Sequence, residues 1–161
     1  MKVQNGEVIA RGMNFPMKRV LDRYTLDYLA SREDAESLER ELKRYLILFA
    51  INPQKGYPMA GPVDDLWHTF LLFTQQYAQF CQQVAGHFIH HVPADPAASP
   101  AQLRQWQEDY ATFLTDYETV FGEPAPSSIW PTLEAPPPGR KKTKNQNGQS
   151  TKFPRKKAAS S

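Results

Sequence analysis

A chain of 161 residues and 18.4 kDa, 40% hydrophobic and 12% aromatic, is long enough for one globular domain with a real core and too short for a multidomain enzyme. The net charge of +2 averages two opposed regions: all 17 acidic residues lie at or before Glu134, whereas eight of the 19 basic residues follow it, so the body carries −6 and the final stretch +8. One cysteine excludes a disulfide scaffold, and the longest apolar stretch, Tyr45 to Ile51, falls far below the ~20 residues that span a bilayer.

Met1 to Glu7 has no apolar segment behind its lysine, so no secretory signal is expected and residues 1–13 read as a flexible N-terminus of a cytoplasmic protein. Val20, Leu21, Tyr24 and Tyr28 recur at helical spacing after Pro16. Ser31, with Asp34 three residues on, is a helix N-cap. Behind it Ala35, Leu38, Leu42, Tyr45, Leu46 and Phe49 form an amphipathic stripe, and the Glu36/Arg40 and Glu39/Lys43 pairs read as a solvated outer face. Pro53 and Pro58 bound a loop. Pro62 then opens a mostly apolar helix carrying Val63, Leu66, Trp67, Phe70, Leu71, Leu72 and Phe73, with Asp64 and Asp65 in its first turn.

Thr74 lies either in mid-helix or at the cap of a new helix over 75–85 with Tyr77, Phe80, Cys81 and Val84 inward, and Gly86 is a left-handed stop. Phe88 to Pro93 reads as extended, since Pro93 disfavours the helical region for Val92. Ser99-Pro100 starts a last helix with Leu103, Trp106, Tyr110, Phe113, Leu114, Tyr117 and Phe121 on one stripe. Ile129-Trp130-Pro131 returns to the body. These elements predict an all-α domain, a compact bundle of about five helices over residues 14–131. A Pro-rich linker and disordered basic tail follow over 132–161.

All four histidines and the cysteine fall between Asp64 and His91. Imidazole nitrogen and thiolate are favoured zinc ligands, and Asp64 sits one helical turn before His68. On one continuous helix, His68 and Cys81 would lie about 220° apart round the axis, so a shared metal requires the chain to bend between them. His90 and His91 project to opposite sides of an extended segment, so one of them joins. The candidate zinc ligands are therefore His68, Cys81, and His90 or His91, with Asp64 supporting or fourth. Trp67 and Asp65 are candidate binding residues beside them.

Blander roles compete. Cys81 on an inward stripe suits a small buried hydrophobe, the two aspartates suit a helix start, and the aromatics suit a core. Neither an oxyanion-hole signature nor a phosphate-cradling glycine loop accompanies Cys81, which argues against nucleophilic catalysis. Arg140, Lys141, Lys142, Lys144, Lys152, Arg155, Lys156 and Lys157 offer nonspecific attraction for nucleic acid or another polyanion.

Val63-Asp64-Asp65-Leu66-Trp67-His68-Thr69-Phe70, with Thr74 to Tyr77, Phe80-Cys81, Phe88 to His91 and the later Tyr110 to Phe113 and Phe121 to Pro124, resembles the glycine-rich-domain-containing-protein-like family. The resemblance runs from about Leu38 to Trp130 and implies a small bacterial member of a helical family with no assigned activity. Plant members often carry a histidine where this chain has Phe70, and their glycine-rich tract is absent here. The reading that follows is a non-catalytic intracellular binding or regulatory module acting on an unidentified protein partner, with a structural zinc site. The rivals are a zinc-dependent hydrolase using the same cluster and a nucleic-acid accessory protein acting through the tail.

Overall fold

The computed structural model describes residues 2–132. Among these every regular element is helical. The elements are α1 (Lys2–Met13), α2 (Lys18–Tyr28), α3 (Arg32–Ile51), α4 (Val63–Leu72), α5 (Thr74–Phe80) and α6 (Pro100–Phe121), and a π-helical turn, Cys81–Ala85, prolongs α5. The basic tail lies outside the described residues.

Helix α3 is the hub, against which α1, α2, α4, α6 and the π turn all pack. Its start is fixed by Ser31, whose hydroxyl accepts from the Asp34 N–H at 3.0 Å. The stripe Ala35, Leu38, Leu42, Tyr45 and Leu46 is buried, but burial also reaches Ile47, Leu48, Lys43 and Glu41. The solvated outer face expected of α3 holds at Glu36 and Arg40, which are exposed, and fails one turn later where other elements surround the helix. Lys43, expected there, is 6% exposed. Its ammonium lies 2.6 Å from Glu39 and donates to the Met13 carbonyl at 3.1 Å, where it meets the negative end of α1.

That contact bears on the N-terminus, which is helical rather than flexible. Residues 2–13 hold two glycines and little intrinsic helix preference, so α1 depends on docking. Val8, Ile9 and Met13 pack on the core, and Gly12 lets α1 approach α3 closely: a Cβ there would lie 2.5 Å from Ile47 Cγ1. Gly12→Val should therefore cost about 1–3 kcal/mol by overpacking, read as a lower urea midpoint, whereas Gly6→Ala, with open space around its Cα, should be neutral or mildly stabilising.

The α4–α5 bend falls at Phe73 (φ −90°, ψ 61°), one residue before Thr74. Downstream, the Gly86 N–H donates to the Cys81 carbonyl at 2.9 Å, five residues back, and Gly86 leaves the helix at φ 76°. Ser99 and Gln102 form a reciprocal capping box at the start of α6. Only Tyr110, Phe113 and Tyr117 of α6 are fully buried; Leu103 is 46% exposed because the first turns of α6 overhang the body. Trp130 brings the chain back, buried against Tyr45 and Phe113.

Candidate metal centre

Three donors meet where the 87–98 connection crosses α4. Asp64 occupies the first turn of α4, near the positive end of the helix, and His68 lies one turn later on the same face. Asp64 Oδ1 accepts from His91 Nε2 at 2.7 Å, and His68 Nε2 stands 3.6 Å from the same oxygen. The two imidazole centroids are 4.5 Å apart. One donor atom from each residue lies within 4.8 Å of the others, so Asp64, His68 and His91 form a group able to hold a metal ion. A tetrahedral ion with bonds of 2.0–2.1 Å needs ligand pairs about 3.3 Å apart, a spacing that 2.7 and 3.6 Å bracket. Two imidazoles and one carboxylate suit a divalent transition ion.

A chain of hydrogen bonds presents His91 to that point. Trp67, 2% exposed, packs edge-on against the His91 ring at 4.4 Å. Its indole N–H donates to the Tyr77 hydroxyl at 3.2 Å, and that hydroxyl donates to the Ile89 carbonyl. The Ile89 N–H donates in turn to Cys81 Sγ at 3.4 Å. Both backbone groups of buried Ile89 are thus satisfied by α5 and the π turn, which fixes the connection two residues before His91.

This arrangement corrects the ligand set expected for zinc. Cys81 and His90 do not join the cluster among the described residues. The Cys81 thiol is buried and already accepts from Ile89, and burial pushes its pKa up, away from the thiolate a metal would need. With Ile89 held inward, alternation turns His90 out, where its ring lies against Phe88 at 4.9 Å. Trp67, the candidate binding residue, is buried and lies against the His91 ring. Asp65 stays partly buried in the first turn, its carbonyl accepting from Thr69 Oγ1 at 3.1 Å. His87 is exposed. The eight basic candidates from Arg140 to Lys157 lie outside the described residues. Two surface depressions, one beside Glu7, Arg11 and Gln83 and one beside Arg19 and Phe73, have none of the three donors in their lining.

A second polar cluster escaped the sequence reading. Glu41 is fully buried and accepts from the Tyr117 hydroxyl at 2.7 Å and the Trp130 indole N–H at 2.9 Å. Arg44 donates to Tyr117 and to Glu123, each at 2.6 Å. The signal was present: Glu41 stands three residues after Leu38 and four before Tyr45, on the apolar stripe itself.

The model of the UCP032817-like family matches residues 9–109, a span that includes all three donors. No curated protein and no solved structure matches the chain. The likeness to the glycine-rich-domain-containing-protein-like family is corrected by this match. A short Asp-x-x-Trp-His motif on an aromatic helix is too small a fragment to separate one helical family from another.

Proposed function

For this chain, which belongs to the UCP032817-like family, we propose a non-catalytic binding or regulatory module whose 87–98 connection is fastened to α4 by zinc on Asp64, His68 and His91. The observation carrying the proposal is the convergence of two imidazole nitrogens on one carboxylate oxygen from segments 27 residues apart. Zinc would tie His91 to two side chains of α4 where these three residues alone share one hydrogen bond, and so would add rigidity to a connection without regular secondary structure. The one thiol of the chain is buried, which speaks against nucleophilic use. A protein partner would meet the rigidified connection from outside.

Calorimetric titration with zinc should give one equivalent for the native chain and none for His91→Ala. Saturation should also raise the unfolding free energy, by about 2.7 kcal/mol at a free zinc concentration 100 times Kd. No uptake, together with unchanged melting of His68→Ala, would leave the cluster as packing alone.

One observation favours the hydrolase as a second reading: His68 is 42% exposed, and three donors leave coordination positions for water. The two diverge on chelation. A fastening role predicts a lower melting temperature, and a hydrolytic one predicts a folded chain that loses a measurable esterase or phosphatase activity.

A further inference from the structure

Residues 87–94 have no regular secondary structure, yet His91 must stand at a fixed point beside α4. Among the described residues, the backbone groups of this segment that hydrogen bond to the rest of the fold are those of Ile89. Its carbonyl accepts from the Tyr77 hydroxyl, its N–H donates to Cys81 Sγ at 3.4 Å, and the residue is 3% exposed. Tyr77 and Cys81 stand one turn apart where α5 passes into the π turn, and that turn packs against α1 and α3. They are therefore the fixed side of the contact, and the connection is what they hold. The Tyr77 hydroxyl also accepts from the Trp67 indole at 3.2 Å, so one phenol meets both the ring that supports His91 and the backbone two residues before it. Packing alone does not ask for these polar atoms. The Tyr77 ring already lies among Phe70 and Phe88, where a phenylalanine would serve as well.

In an extended segment, residues two apart face the same way. With Ile89 turned in, His91 follows it and His90 is turned out against Phe88. A segment free to slip by one residue would present His90 instead. Resting on the metal reading above, we infer that Tyr77 and Cys81 are positioning residues of the metal centre: by holding both backbone groups of Ile89 they present His91 rather than His90 to Asp64 and His68, and they couple metal binding on α4 to the π turn. Groups behind a ligand fix its orientation and with it the affinity. The coupling runs both ways, because an ion that fixes His91 also fixes Ile89 and tightens the two bonds that reach back to α5 and the π turn.

Calorimetric titration of the full chain with zinc at one pH reads the affinity. Tyr77→Phe should raise the zinc Kd about tenfold or more, as loss of such a support does. Tyr110→Phe, which takes an equally buried hydroxyl from the Pro131 carbonyl, should leave Kd unchanged. Cys81→Ala should weaken binding, and Cys81→Ser, which keeps an acceptor for the Ile89 N–H, should restore most of it. That second pair decides the matter even if Tyr77→Phe folds poorly. Amide exchange gives the reciprocal readout: zinc should slow exchange at Ile89 in the native chain, and slow it less in Tyr77→Phe. Native Kd values for Tyr77→Phe and Cys81→Ala, or an equal loss in Tyr110→Phe, would overturn the inference and leave the metal site standing. Failure of the native chain to take up zinc would remove the metal reading itself, and this inference with it.

Discussion

Glu41→Ala should lower the unfolding free energy by about 3–5 kcal/mol, the usual cost of removing one member of a buried charged network. The carboxylate is 0% exposed and holds the Tyr117 hydroxyl and the Trp130 indole through one oxygen, with Arg40 and Arg44 at 3.4 and 3.8 Å from the other. Truncation leaves two buried donors without an acceptor and a cavity between α3 and α6. A domain of this size has about 5–15 kcal/mol in all, so the loss is a large share of it. Glu41→Gln retains an acceptor oxygen and should cost less. Urea unfolding followed by tryptophan fluorescence tests both, because Trp130 is released when the network opens. Equal midpoints for Glu41→Ala and the native chain would mean that α3 and α6 are held by apolar contact alone.

Alkaline pH should unfold the protein cooperatively. Burial pushes the phenols of Tyr24, Tyr45, Tyr57, Tyr77, Tyr110 and Tyr117 above their ordinary value. In the unfolded chain they ionise near pH ~10. Each folded pKa is raised, so its contribution is fully present below pH ~10 and is lost as the pH climbs beyond it. The loss is about 1.4 kcal/mol per unit for each phenol while the folded form stays protonated. Six such groups exhaust a typical stability within about two units. Phenolate absorbance and far-ultraviolet circular dichroism should therefore change together above pH ~10. Phenolate from more than the one exposed tyrosine, Tyr28, appearing with an intact helical spectrum would contradict the burial of these six rings.

How far the residues themselves announce this structure depends on the range of the force that decides each feature. Ser31 and Ser99 cap helices through bonds to backbone three residues away, so their positions could be read directly. A bend near Thr74 was one of two readings, and a metal shared by His68 and Cys81 would have required it; the bend is present at Phe73, although the two residues go to different tasks. Helix α1 was invisible, because the contacts that hold it, Gly12 against Ile47 and the Met13 carbonyl against Lys43, join residues 30 or more positions apart. The choice of His91 over His90 depends on which way Ile89 is turned, and Tyr77 and Cys81 decide that. Cys81 looked like a ligand because its type and neighbourhood suited zinc. Its occupation by an amide N–H is a tertiary fact that spacing does not record.

Gly61 is held at φ +78°, and a Cβ there would stand 2.6 Å from the Ile129 carbonyl oxygen and 3.4 Å from Pro131 Cδ. Three residues further on comes Asp64. The Ile129–Pro131 segment therefore lies against the turn that precedes the donor-bearing helix. Two regions that sequence distance separates by nearly seventy residues share one mechanical footing.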